Sequence, residues 1–165
     1  MLVLGIDPGT ATTGYGLVTE TPDGNLKVID FGVILTPAEM PMPERLLILH
    51  ERLNEIILLH QPDNGAVEKL FFQRNVTTAL SVGQARGIVL LCLAEAGKPV
   101  AEYTPTQVKQ AICGYGGADK HQVQEMVRAL LGLVEIPRPD DAADALAIAI
   151  CHLNSSSFNE KVAAS

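Results

Sequence analysis

Residues 2–19 read LVLGIDPGTATTGYGLVT, and the fold follows from this stretch. Leu2–Asp7 is apolar almost throughout, the pattern of a strand buried on both faces. Pro8-Gly9-Thr10 turns the chain, and Gly14–Thr19 reads as a second strand. Asp23-Gly24 is a hairpin signal, so a third strand is expected near Leu26–Thr36. Three consecutive strands with short connections make an antiparallel meander.

Downstream, the period changes. A Pro-rich link, Pro37 to Pro43, leads into a helix near Glu44–His60, with Leu46, Leu49, Leu53 and Ile56 on one stripe. Leu47, Ile48, Ile57, Leu58 and Leu59 spill beyond that stripe, which predicts a helix covered on more than one side. Ala66–Leu70 reads as a short strand, Thr77–Ala96 as a long helix and Pro99–Tyr103 as another strand. Helices follow near Pro105–Ile112, Lys120–Leu131 with Asp119 as N-cap, and Asp141–Leu153. The prediction is one α/β domain over residues 1–154, a mixed five-stranded sheet with helices on both faces, and a flexible tail over 155–165.

At 165 residues the chain fits one ordinary domain. It is 47% hydrophobic but only 4% aromatic, so its core must be aliphatic. Cys92, Cys113 and Cys151 show no Cys-x-x-Cys spacing and read as reduced, structural thiols of a cytoplasmic protein. The N-terminal run is uncharged and broken at once by Asp7-Pro8-Gly9, unlike a signal peptide. No apolar run is read as reaching the roughly 18 residues of a membrane span, so no membrane is expected as partner. A net charge of −7 argues against a nonspecific nucleic-acid coat. The distribution is uneven, however. Residues 66–129 carry seven basic groups (Lys69, Arg74, Arg86, Lys98, Lys109, Lys120, Arg128) against five acidic ones, a locally positive stretch that could hold phosphates.

Four acids carry the chemistry. Asp7 ends the first strand and Glu68 lies within another, both costly positions for a carboxylate unless it is paired or binds metal. Asp141 and Asp144 are three apart on a predicted helix and share a face. Converging carboxylates raise each other's pKa unless cations neutralise them, and an oxygen-only donor set suits Mg²⁺ or Mn²⁺ rather than zinc. Two such ions roughly 3.5–4 Å apart would serve phosphodiester hydrolysis. Each acid alone also has an ordinary reading: Asp7 as a turn residue, Glu68 on an edge strand, and Asp141 and Asp144 as charges favoured at a helix N-terminus.

Taken together, the segments are recognisable. Gly5-Ile6-Asp7-Pro8-Gly9 through Gly16, Ala66-Val67-Glu68 with Phe71 and Asn75, and ALSVGQARG at Ala79–Gly87 resemble the RuvC family of Holliday junction resolvases. So do Tyr103-Thr104-Pro105 through Lys109, Lys120–Leu131, and Asp141 through Ala147, in family order and over about residues 3–153. The resemblance implies an RNase H-like nuclease domain and a homodimer making paired, symmetric cuts in four-way DNA junctions during recombination and repair. It implies Asp7, Glu68, Asp141 and Asp144 as catalytic, Mg²⁺-binding acids, two ions per site, with Mn²⁺ as a substitute. It further implies that Phe71 stacks on a base, that Lys109 and Lys120 contact phosphates, and that the branch-migration proteins RuvA and RuvB are partners. Asp140, directly before Asp141, is expected to be a cap or outer group, and the role of His152 stays open. Two rivals stand beside this reading. A sugar-kinase or actin-like ATPase shares the Asp-x-Gly-Thr pattern but needs two lobes and far more residues. A noncatalytic RNase H-like protein that binds nucleic acid or a partner is opposed by retention of all four acids.

Overall fold

The computed structural model describes residues 1–69 and 76–163, with side chains for all of these except 76, 77 and 157–163. The chain runs β1 (Leu2–Asp7), β2 (Thr12–Glu20), β3 (Leu26–Leu35), α1 (Met42–His60), β4 (Asn64–Glu68), α2 (Val76–Glu95), β5 (Val100–Tyr103), α3 (Pro105–Cys113), α4 (Lys120–Leu130) and α5 (Asp140–Ala163). The strands form one mixed five-stranded sheet, as the sequence predicts, in the order β3-β2-β1-β4-β5. The first three strands are antiparallel, and β4 joins β1 in parallel and carries β5 in parallel. Strand β1 is thus central, which explains its unbroken apolar run.

Alternation along the strands sorts two cores. Leu4 and Ile6 of β1, Leu17 of β2 and Val67 of β4 pack with Leu49, Leu53 and Ile57 of α1 and Ala85, Val89 and Leu93 of α2. The other face carries Val3, Val18 and Ala66, covered by α3, α4 and α5 through Val108, Val127, Leu146 and Ile150. Because side chains alternate with period two, Gly5 and Asp7 share the face of Val3, and Glu68 shares the face of Ala66. Both acids therefore face α5.

Three strand glycines let α5 settle directly on the backbone. A Cβ at Gly5 would stand 2.1 Å from the carbonyl oxygen of Ala145, one at Gly14 1.9 Å from that of Asp141, and one at Gly16 2.8 Å from the Leu146 side chain. Gly5 and Gly16 are register partners, and Gly14 is the partner of Asp7. This flat seat brings the first turns of α5 against the end of β1.

Local caps fix the other two helices of this face. Thr104 Oγ1 accepts from Gln107 N at 3.1 Å while Thr104 N donates to Gln107 Oε1 at 2.9 Å, and Asp119 and Gln122 repeat the device at the start of α4.

Helix α5 departs from expectation at both ends. It begins at Asp140 rather than Asp141, and it continues to Ala163, past Leu153. Serine and asparagine usually weaken helices by competing for backbone groups. Here Ser155 donates to Cys151 O at 2.8 Å and Asn154 to Ala111 O at 3.3 Å, so both side chains are satisfied within the packed helix. The spill residues of α1 also differ from expectation, since Leu47, Leu58 and Leu59 are exposed. Against the expectation that no apolar run reaches the length of a membrane span, Thr78–Glu95 of α2 is long and apolar enough to cross one by length and composition alone, and 22% of it is buried.

Candidate active site

Parallel pairing of Ile6 with Val67 sets the next residues, Asp7 and Glu68, side by side at the carboxyl ends of β1 and β4. Such strand ends are the usual crevice of an open α/β sheet. Helix α5 supplies the third wall. Its seat on Gly14 holds Asp141 against β2, and Asp144, one turn on, reaches the space in front of the strand ends.

Asp7, Glu68 and Asp144 line one cleft of about 280 Å³, together with Lys109 and Lys120. Pro105, Val108, Val123, Ala147 and Ile148 form its apolar floor and walls. Asp141 is outside that lining, at the margin, yet its charge acts on both Asp7 and Asp144. Asp7 is half-buried, and burial first, then the charges of Asp144, Glu68 and Asp141, push its carboxyl up to about 7. Burial and Asp144 likewise raise Glu68 above the ordinary carboxylate range. Asp144 is raised by burial, with Asp140 and Asp141 adding to the effect and Lys120 opposing it.

Lys120 is the one cation drawn into the cluster among the described residues. Its ammonium stands 3.3 Å from Asp140 Oδ2 and 3.3 Å from Asp144 Oδ2. Burial alone would lower its pKa, but the Asp144 charge and the bonds to both acids hold it above its usual value. The bond from Lys120 lowers Asp140, which is exposed and outside the cleft lining. Asp140 and Asp141 are thereby separated: Asp141 acts on Asp7, and Asp140 anchors Lys120 from outside. Lys109 reaches the cleft from α3. Phe71 lies outside the described residues.

His152 does not line the cleft. It is buried, with Nδ1 at 2.8 Å from the Tyr103 hydroxyl and Nε2 at 3.0 Å from the Asn64 amide, and burial lowers its pKa. It braces α5 against β4 and β5. The apolar floor and the glycine seat were missed in the sequence, although glycine at alternate strand positions 14 and 16 is a signal of close backbone approach.

Among known proteins, the family model for crossover junction endodeoxyribonuclease RuvC matches residues 3–152 of this chain. A relative of that name from Chloroflexus aggregans is 66% identical over 152 residues, 92% of each chain. Its counterpart from Desulfitobacterium hafniense is 63% identical over 155 residues, 94% of this chain and 93% of the relative. In three dimensions the chain is similar to T. thermophilus RuvC in complex with a Holliday junction substrate, with a TM-score of 0.88, 40% identity and 96% of each chain covered. The sheet order and its flanking helices are those of an RNase H-like α/β fold.

Proposed function

The chain belongs to the RuvC family of crossover junction endodeoxyribonucleases, metal-dependent nucleases, and on that premise we propose that it resolves four-way Holliday junctions in DNA recombination and repair. The observation that carries this reading is the convergence of Asp7, Glu68 and Asp144 on one cleft, with Asp141 acting on Asp7 from its margin. A relative solved with a Holliday junction substrate supports the choice of DNA.

We assign Asp7, Glu68, Asp141 and Asp144 as the acids that hold two Mg²⁺ ions. The donor set fits: every proposed ligand offers a hard oxygen, no imidazole or thiolate lines the cleft among the described residues, and burial first, then the neighbouring carboxylates, hold the Asp7 carboxyl up to about 7, a charge burden that a bound cation would relieve. When bound, divalent ions supply charge to the attacking and leaving oxygens of the phosphodiester. The chain's own part is position. Asp7 and Glu68 stand on paired strand ends, the α5 acids stand on a helix seated on glycine, and the apolar floor under Asp144 limits water.

Lys109 and Lys120 are the proposed phosphate contacts, with Phe71 as a stacking residue at the opened junction. Lys109→Ala and Lys120→Ala should each weaken binding to all junction sequences alike. Each should reduce the slope of log affinity against log salt by roughly one unit, measured by fluorescence anisotropy. Unchanged slopes would make them ordinary surface lysines.

Paired cuts in opposing strands require two clefts related by a two-fold axis. Leu80, Gln84, Gly87, Leu91 and Ala94 are all exposed on α2 and recur at alternating spacings of four and three, the spacing of a helix-pairing seam. Open space around the Gly87 Cα admits a second backbone. We propose that α2 forms an isologous homodimer contact along this seam. Leu91→Asp would bury a charge on both sides of the axis and should weaken the dimer at least roughly 100-fold. Sedimentation at micromolar protein, with and without junction, reads this directly. A wild-type monomer under both conditions would remove the symmetric mechanism.

RuvA and RuvB remain the proposed partners, and the three free thiols, two of them buried, suit a reducing cytoplasm. The decisive experiment is cleavage of a synthetic four-way junction with Mg²⁺, mapped on a denaturing gel. Matched nicks in opposing strands are expected. Tight junction binding with no cleavage would favour a noncatalytic nucleic-acid-binding member of the fold.

A further inference from the structure

We propose a second metal site, for a divalent transition metal of the zinc class, formed by His50, Cys92 and Glu95 where α1 packs on α2. It lies on the α1–α2 side of the sheet, away from the carboxylate cleft. One ligating atom from each of the three residues falls within 4.8 Å of the other two. His50 Nε2 and Glu95 Oε2 are already 2.9 Å apart, and the Cys92 thiol donates to His50 O at 3.8 Å, from the same helix turn. Cys92 and Glu95 are three apart on α2 and so share a face, while His50 is brought to them only by helix packing.

The donor chemistry separates this site from the cleft. One sulfur, one imidazole nitrogen and one carboxylate oxygen make a soft, mixed set that selects zinc-like ions over Mg²⁺. Zinc–ligand bonds of about 2.0–2.3 Å place tetrahedral ligands roughly 3.3–3.8 Å apart, so closure asks for about 1 Å of side-chain movement. The Glu95 side chain is 49% exposed and the His50 side chain 30%, which leaves room for that movement and for water in a fourth position. The Asn54 amide lies 3.2 Å from His50 Nε2 and 3.5 Å from Nδ1, so metal binding through Nε2 would require it to turn towards Nδ1, where its oxygen could accept from that nitrogen.

A divalent ion between the three groups would take Cys92, His50 and Glu95 as ligands, and the thiol proton would leave to solvent as the metal–sulfur bond forms. Occupancy would tie α1 to α2 next to Leu91 and Ala94. That consequence rests on the dimer reading; the site itself does not.

The test is titration of the metal-free full-length protein with Co²⁺ in the presence of excess Mg²⁺, which keeps the carboxylate cleft filled. The expected result is a thiolate-to-cobalt charge-transfer band in the near ultraviolet that saturates at one Co²⁺ per chain and is displaced by Zn²⁺. Cys92→Ala should abolish the band, and Asp7→Asn should leave it unchanged. Loss of outer support alone costs about 10–100-fold in affinity, so His50→Ala should weaken binding at least roughly tenfold. His50 is partly exposed, so this variant keeps the test valid should Cys92→Ala fail to fold. Absence of the band, its persistence in Cys92→Ala, or equal affinity in His50→Ala would overturn the site. Junction cleavage is scored separately, so failure here leaves the nuclease reading standing.

Discussion

Asp7→Asn is expected to lower junction cleavage by at least roughly 10³-fold while junction affinity stays within a few-fold of the original. Metal stabilisation of transition-state charge is worth several kcal/mol, and each 1.36 kcal/mol is a factor of ten in rate. Asparagine keeps the shape of the side chain but removes the charge that holds the ion. The strand backbone of β1 is unaffected, and one fewer negative charge in the cleft does not oppose an incoming phosphate. Single-turnover cleavage with a labelled junction, alongside gel-shift affinity, separates the two quantities. Near-normal turnover would sink the assignment of Asp7. Asp140→Asn should be mild by comparison, because Asp140 is exposed and pairs with Lys120 outside the cleft lining.

The same substitution has a stability signature in the metal-free protein. In the folded chain Asp7 is held up to about 7, against an ordinary value of 3.8. Between those values the unfolded chain has released the proton that the folded chain keeps. Folding therefore takes up a proton, and the contribution of Asp7 to stability falls as pH rises from about 4 to about 7. Above that window the penalty is complete, on the order of 2–4 kcal/mol. Metal-free Asp7→Asn should then melt several degrees above the wild type at pH 8, with the gap closing towards pH 4. Added Mg²⁺ should raise the wild-type melting temperature at pH 8 and raise that of the variant much less. A variant less stable than wild type at pH 8 without metal would contradict the account of the cluster.

Much of this architecture is legible in the sequence for a physical reason. A carboxylate closing an apolar central strand is costly, so Asp7 announces itself, and Glu68 does so for the same reason on β4. The paired capping residues at 104 and 107 and at 119 and 122 are equally readable, because caps act within four residues. What depends on packing is not. Nothing in the spacing of residues 120, 140 and 144 says that Lys120 spans two acids, since that follows from how α4 lies against α5. The position of Asp141 at the cleft margin depends on where α5 starts, which differs from the sequence reading by one residue. His50 and Cys92 stand on different helices and meet only through the α1–α2 contact, so no local pattern links them. The spill of leucines on α1 was read as burial, whereas Leu58 and Leu59 are 74% and 77% exposed.

Gly14→Ala should do more damage than any conservative change in the apolar core, and through geometry rather than charge. Its added Cβ would meet the Asp141 carbonyl oxygen at 1.9 Å and the Asp141 carbonyl carbon at 2.4 Å, both backbone atoms that no rotamer change can move. Relief requires lifting the first turn of α5 off β2. That end of the helix cannot lift alone, because Gly5 and Gly16 seat the following turns at Ala145 and Leu146. Overpacking a close contact commonly costs about 1–3 kcal/mol, and a backbone-to-backbone clash belongs at or above the top of that range. Any accommodation displaces Asp141 and Asp144 relative to Asp7 and Glu68, and a shift of roughly 1 Å in such a site can cost about 10²-fold in rate. The expected outcome is therefore a lower melting temperature together with at least a roughly 100-fold loss of cleavage in whatever fraction remains folded. Excess Mg²⁺ should not restore that activity, since the fault is the spacing of the acids and not their charge. Chemical denaturation and active-site-limited single-turnover cleavage measure the two effects independently. A Gly14→Ala protein of wild-type stability and rate would mean that α5 does not rest on β2 as closely as 1.9 Å implies.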